Sequence, residues 1–479
     1  MTYHKKIISN NIEKNIYLIY LFSLPFGRFI DFHLPTILQT YFLNRFCCFF
    51  FFFGFIIMTI KKVSIGYNPF LEKWKRLYKF QIIYSLLMAT ILYIPLGILH
   101  GEDTFRASIG SMLFWLIVLL HIYYNYYGLT QLITIHTMLK TITYSSFVIL
   151  FIGYLQYTAV KVGGPFGSIY TVLTSIFALL PIDKLNRGVV FFGSEPASAS
   201  TLFALTIPVL LGRIIQQKNK KEQKWYILLI LLFIPLFISS GSASVWITLL
   251  STICATFIVL TKNLKAYKFL LGITFSIGFI IAIGYGIGNF NKKNTNENKE
   301  ETNIEYLLLG KIQDTNNLST MMRSSTIINN MKILGNYPIT GVGDGIQGYF
   351  YNKNIPNSFL ISPEVSKIYK GEVGIIDSGG AYFPAFFSSY GIIGLFFLLP
   401  LIRQYFYFFK RWERINLLNI IFMIFIIIFV ASAWFSMGIR QNYMVIVMFT
   451  LPIVALRYDL YSQKHLSKQS PISLIKKRK

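Results

Sequence analysis

Residues 316–345 read NNLSTMMRSSTIINNMKILGNYPITGVGDG, and residues 379–402 read GGAYFPAFFSSYGIIGLFFLLPLI. The first stretch has the pattern of an amphipathic helix. Leu318, Met322, Ile327, Met331 and Leu334 recur at helical spacing, and Arg323 lies off that stripe. Ser319 can cap the start. Gly335 can close the end in a left-handed turn, and Pro338 forbids the helix from resuming. Gly341, Gly343 and Gly345 then make a loop whose backbone can approach other groups closely. The second stretch is apolar for most of a bilayer thickness. The pattern therefore predicts an extracytoplasmic helical segment joined directly to a membrane helix, with one arginine presented from its own helix.

Working outward, the rest of the chain has the composition of a membrane protein. Of 479 residues, 54% are hydrophobic and only 13% charged, a balance unusual in water and ordinary in a bilayer. Twelve apolar spans can be drawn, at 16–30, 41–60, 80–99, 109–126, 141–160, 197–211, 225–239, 243–261, 269–287, 382–401, 417–435 and 443–456. The first is interrupted by Pro25 and Arg28. The fold class expected is all-α and polytopic, with one large extracytoplasmic helical loop between spans nine and ten. The division is 1–288 for spans one to nine with an outer loop at 161–196, 289–379 for the loop domain, 380–457 for spans ten to twelve, and 458–479 for a basic tail. The net charge of +26 would suit nucleic acid in a soluble protein. Here Lys and Arg gather in alternate loops, as the positive-inside rule requires, and the acids gather in the others. That places both termini in the cytoplasm and predicts no nucleic-acid partner. The three cysteines fall within apolar runs, so no disulfide framework is implied. Neither a Walker loop nor an H-E-x-x-H pair occurs.

The opening stretch resembles the O-antigen polymerase and ligase superfamily, whose members join sugar chains built on polyprenyl pyrophosphate. The pieces that carry the resemblance are Arg323 on a helix, Asn336-Tyr337-Pro338, Gly341-Val342-Gly343-Asp344-Gly345, and Gly391-Ile392-Ile393-Gly394 opening the next membrane helix. The resemblance implies a multi-pass protein of the plasma membrane that polymerises lipid-linked oligosaccharide repeat units into O-antigen or capsule at its outer face. It implies glycosyl transfer; no D-x-D pair on the expected outer side suggests a metal, so the transfer expected is metal-independent and uses no cofactor. The partners would be the polyprenyl-pyrophosphate-linked oligosaccharide, a chain-length regulator and a flippase. The ligase branch carries a histidine at the place held here by Gly380, and none of the six histidines lies in 289–379. A glycan ligase, or a flippase of the lipid-linked unit, is the alternative.

Such an enzyme must hold a pyrophosphate and activate a sugar hydroxyl. Arginine suits the first task, because its planar fork pairs with phosphate oxygens and keeps its charge. The candidates on the expected outer side are Arg187, Arg323 and Arg440, with the Gly341 and Gly343 backbone beside them. Each arginine could equally pair with a lipid headgroup or a loop acid. Glu195, in the segment FGSEPASAS, is the candidate base for the acceptor hydroxyl. It could instead cap a helix that starts at Pro196. Asp344, Glu372 and Asp377 also lie in the loop, and no pattern ranks them.

Overall fold

The computed structural model describes residues 2–26, 46–63, 65, 68–96, 104–177, 179, 181–192, 198–216, 219–240, 242–261, 264–287, 318–370, 381–410, 417–434 and 446–454. Within these, the side chains of some residues, Arg187 and Arg323 among them, lie outside the description. The described residues are mostly helical, with no strand among them. The main helices are α1 (Thr2–Ser23), α2 (Phe46–Ile60), α3 (Pro69–Leu96), α4 (Thr104–Tyr127), α5 (Ile135–Lys161), α6 (Gly164–Phe177), α7 (Ser198–Gln216), α8 (Lys220–Ser239), α9 (Ala243–Leu260), α10 (Leu264–Ile287), α11 (Leu318–Asn336), α12 (Tyr351–Asn354), α13 (Pro363–Tyr369), α14 (Tyr382–Lys410) and α15 (Leu417–Ser432). A last helical stretch covers 446–454.

Among the described residues, five helices are long and apolar enough to cross a membrane: Ser108–Leu132, Ile135–Lys161, Lys220–Ser239, Lys265–Ile283 and Tyr382–Tyr405. Shorter apolar helices are Cys47–Ile60, Leu202–Ile215, Ser244–Leu260 and Leu418–Ser432. Every span drawn from the sequence overlaps one described helix, though the ends differ. α3 is the clearest case. Lys73, Lys75, Arg76 and Lys79 read as loop residues in the sequence, yet they ride on its first turns. The physical reason is that Asn68 caps this helix through the Phe70 N–H, 2.9 Å away, with Pro69 just inside its start. α8 and α10 leave large apolar side chains exposed along their length, including Trp225, Leu231, Ile238, Phe269, Ile277 and Ile280. In a bilayer these faces meet lipid at no cost, so the composition and the exposure agree.

Packing joins chain neighbours and distant helices alike. α3 pairs with α4, α1 with α2, and α9 and α7 with α15. α11 lies against α10 and α14, so the segment after 318 is seated on the membrane helices. It is less amphipathic in place than its pattern predicts. Ile327 and Met331 are buried as expected, but so are Ser324, Ser325, Thr326, Asn329 and Asn330 on the other faces. Trp434, just after α15, fixes the neighbouring helices. It packs on Phe275 and Phe279 of α10 and on Phe383 of α14, with ring centroids 5.1, 5.6 and 5.0 Å apart. Gly278 makes the room, since a Cβ there would fall 2.1 Å from the indole.

Candidate functional site

The loop after α11 and the helix α14 form one joint. α11 runs to Asn336, and Tyr337 still donates to Ile333 O at 2.8 Å. Gly335 therefore stays helical, and the stop comes from Pro338, which has no N–H to give. α14 starts well before Gly391, at Tyr382, because residues 382–390 are apolar enough to continue a membrane helix. Gly391 does not open the helix; it breaks it, with φ 53° and ψ −150°, a conformation essentially closed to other residues.

A broken helix in an apolar surrounding frees carbonyls before the break and N–H groups after it, each costing several kcal/mol if left bare. The loop supplies their partners. Val342 N–H donates to Ser388 O at 2.9 Å, and Gly343 N–H to Ser389 O at 2.8 Å. In return Ile392 N–H donates to Pro338 O at 2.9 Å, and Ile393 N–H to Ile339 O at 3.1 Å. The two backbones meet so closely that neither can carry a side chain. A Cβ on Gly341 would stand 2.5 Å from the Ser389 carbonyl, and one on Gly391 would stand 2.5 Å from Ile339 O. A Cβ on Gly343, at φ +86°, would stand 2.6 Å from Met88 Cβ of α3. Ile346, Tyr349 and Phe350 then seat the loop on Ala89 and Ile333.

Asp344 is the polar centre of this joint. Its side chain is fully buried. Oδ2 accepts from Trp115 Nε1 at 2.7 Å and from Ser111 Oγ, both on α4. Oδ1 accepts from Gly345 N–H at 3.1 Å and from Ser389 Oγ at 3.4 Å. Its carboxylate thus ties the loop to α4 and α14 together. Tyr84 of α3 adds a hydrogen bond to Thr340 O at 2.7 Å. On the α11 side, Ser388 Oγ donates to Asn330 Oδ1 at 2.8 Å, and Asn329 Nδ2 donates to Gln347 O at 2.9 Å. Tyr351 reaches back to Ser325 of α11, and burial pushes its phenol up to about 12 while that hydrogen bond lowers it.

A second segment, 188–192, is docked elsewhere and by other means. Gly188, at φ +115°, lies against the end of α8, where a Cβ would stand 2.4 Å from Ser239 O. Val189 N–H donates to Ser239 O at 3.3 Å. The side chain of Gln156, fully buried on α5, does the rest. Its Oε1 accepts from Val190 N–H at 3.1 Å and Phe191 N–H at 2.7 Å. Its Nε2 donates to Phe191 O at 2.7 Å and to Tyr170 Oη at 3.0 Å. Phe191 holds a positive φ of 55° in a fully buried position, a strain this clamp must hold in place.

Of the residues expected to form a site, Gly341 and Gly343 lie in the joint. Arg323 is on α11 between Met322 and Ser324, and Arg187 ends the 3₁₀ turn Ile182–Arg187 just before Gly188. The side chains of both are outside the described residues, as are Glu195 and Arg440 entirely. Sequence reasoning did not single out Asp344 or Gln156. Gln156 had a signal, one amide inside the apolar run FIGYLQYTAV. Among the described residues, no group of three His, Cys, Asp or Glu could hold a metal ion. No protein-family model, no curated protein and no solved structure matches this chain.

Proposed function

We propose that the chain polymerises polyprenyl-pyrophosphate-linked oligosaccharide repeat units into a surface polysaccharide, O-antigen or capsule, at the outer face of the plasma membrane. The observation that carries the reading is that Pro338, Gly341, Gly343 and Gly391, residues of the resembling motif, meet in a single joint. A pattern that could have been scattered glycines is one structural unit. In this reading the chain crosses the membrane about twelve times, both termini are cytoplasmic, and 289–379 faces outward. The acceptor hydroxyl attacks the anomeric carbon of the growing chain. The new C–O bond forms as the bond to pyrophosphate breaks, with the electron pair leaving on pyrophosphate. Glu195 takes the hydroxyl proton. Arg323, with Arg187 and Arg440, balances the charge on the leaving group. Such placed charge is often the largest catalytic term.

A break in a membrane helix also suits a flippase of the lipid-linked unit, since discontinuous helices are common in transporters. Deletion of the protein in its own cells separates the two. Loss of a polymerase leaves single lipid-linked units on the outer face, whereas loss of a flippase leaves them on the cytoplasmic face. Arg323→Ala tests the assigned role directly. Removing one charge-assisted contact from a dry site costs on the order of 2–4 kcal/mol of transition-state stabilisation, roughly a 30- to 1000-fold slower rate. Long chains should then be nearly absent at normal protein level. Arg323→Lys, which keeps charge but loses the fork, should give few or short chains. Full-length ladders from a stable Arg323→Ala protein would remove the assignment.

A further inference from the structure

α3 and α14 run antiparallel in close contact. Trp74 Nε1 donates to Tyr405 Oη at 3.0 Å, Phe80 stacks on Phe397 with centroids 3.8 Å apart, and Tyr84 lies 6.0 Å from Tyr390. One end of this pair carries the glycine joint. The other end, about 16 Å further along from Tyr84 to Lys73 at 1.5 Å per residue, carries cations. Lys73 and Arg76 come from α3, and Arg403 from α14. Their backbones are fixed by the Trp74–Tyr405 bond, by Tyr405 Oη donating to Phe449 O at 2.9 Å, and by Lys73 donating to Gln404 Oε1.

These three cations have no carboxylate partner among the described residues. The ion pairs there are Lys61 with Glu13 and Lys75 with Glu72. Partial burial, then the like charges of Arg403 and Arg76, push the Lys73 ammonium below its usual value. Such a cluster calls for an anion. What lies beside it says which kind. Arg76 stands at the end of an exposed apolar stripe on α3, Ile83 and Leu87, at helical spacing with Lys79 between. Arg403 stands at the end of a matching stripe on α14, Phe396 and Leu399. Cations at the mouth of two apolar tracks have the chemistry of a lipid with an anionic head. Basic pockets between helices at a membrane surface take such headgroups.

We propose that Lys73, Arg76 and Arg403 bind the phosphate of an anionic phospholipid, whose acyl chains lie along Ile83–Leu87 and Phe396–Leu399. This does not depend on the polymerase reading. The bound lipid bridges α3 and α14, the two helices that frame the glycine joint. The test uses the full-length protein in a neutral detergent. Phosphatidylglycerol, phosphatidylcholine with the same chains, and inorganic phosphate are titrated separately, and thermal unfolding is followed. Phosphatidylglycerol should raise the midpoint saturably, and phosphatidylcholine and inorganic phosphate should not. The double variant Lys73→Gln/Arg403→Gln should need at least tenfold more phosphatidylglycerol for the same rise. Lys75→Gln, which removes a cation already paired with Glu72, should respond like the parent. An equal rise with phosphatidylcholine, an equal rise with phosphate alone, or no rise with phosphatidylglycerol in the parent overturns the proposal without any variant. An unchanged titration in a folded double variant overturns it as well.

Discussion

The segments 338–345 and 188–192 both leave helices and return into the bundle, but they are held there in opposite ways. The first is docked by backbone on backbone: four hydrogen bonds cross between the loop and the broken α14, and two glycines remove every atom that would keep the chains apart. The second is docked mainly by one side chain, Gln156, whose amide satisfies three backbone groups and a phenol at once. Backbone docking is rigid and cannot be repaired by a neighbour, because the lost partners belong to a helix interior. Side-chain docking depends on one residue and can be released by it. A fixed joint and an adjustable flank would be built in these two ways.

Gly391→Ala should have the largest effect. The new Cβ meets Ile339 O, a backbone atom that cannot swing aside, and the left-handed conformation adds at least about 1–2 kcal/mol of strain. Straightening α14 instead would strip the loop of all four crossing hydrogen bonds. Expression followed by size-exclusion profile should show little folded protein. Gly272→Ala, on α10 with nothing within 4 Å of its added Cβ, should fold like the parent. A well-folded Gly391→Ala protein would mean that the joint is not rigid.

Gln156→Leu comes next and should act on the other segment alone. It leaves Val190 N–H, Phe191 N–H and Phe191 O without the partner that buries them, at about 1–3 kcal/mol for each group that water cannot reach. The segment is therefore expected to lift off rather than bear that cost. Hydrogen exchange should rise over 182–192 and stay slow over 338–345. Equal loosening of both regions would show that they are coupled.

Asp344→Ala should be milder than either and confined to the joint. Trp115 Nε1 and Ser111 Oγ lose their acceptor, at a cost on the order of 2 kcal/mol, while the four backbone bonds remain. Exchange over 338–345 should speed up moderately, and exchange over 188–192 should not change.

These effects also mark what the sequence could and could not reveal. The helical class was legible from apolar runs of bilayer length, and the closeness of the glycine loop to another backbone was legible from Gly341 and Gly343. That the other backbone was α14 was not. Gly391 lies far along the chain, and a run of apolar residues on both sides of a glycine reads the same whether the helix breaks or starts there. Asp344 was one of several loop acids because its partners Ser111 and Trp115 lie 233 and 229 residues away. No local pattern encodes a contact of that range. The polar residues of α11 follow the same rule: Asn329 and Asn330 lie off the apolar stripe, yet Gln347, Asn354 and Ser388 pair with them in the interior. The arginines and Glu195 were chosen for their chemistry, and only the turns and helix that carry Arg187 and Arg323 can be placed beside these two segments.

The smallest effect sharpens the contrast by pH. Each region holds a buried tyrosine: Tyr351 beside the joint and Tyr170 beside Gln156. Burial pushes each phenol up to about 12, and the Ser325 and Gln156 hydrogen bonds lower them. A raised folded-state value means that this stabilisation is complete below the unfolded value near 10 and is lost as pH rises toward 12. Replacing the partner has opposite consequences in the two regions. Ser325→Ala leaves Tyr351 buried and removes a contact that favours phenolate, so its ionisation should move further up. Gln156→Leu removes the same kind of contact from Tyr170, but it also frees the segment that covers the ring. If docking depends on Gln156, exposure wins, and Tyr170 ionises closer to 10. The tyrosinate absorbance of each variant, minus that of the same variant with Tyr351→Phe or Tyr170→Phe, isolates the phenol concerned. A Tyr170 ionisation that moves upward in Gln156→Leu would show the 188–192 segment still seated, held by its apolar contacts and the Gly188 turn rather than by the amide.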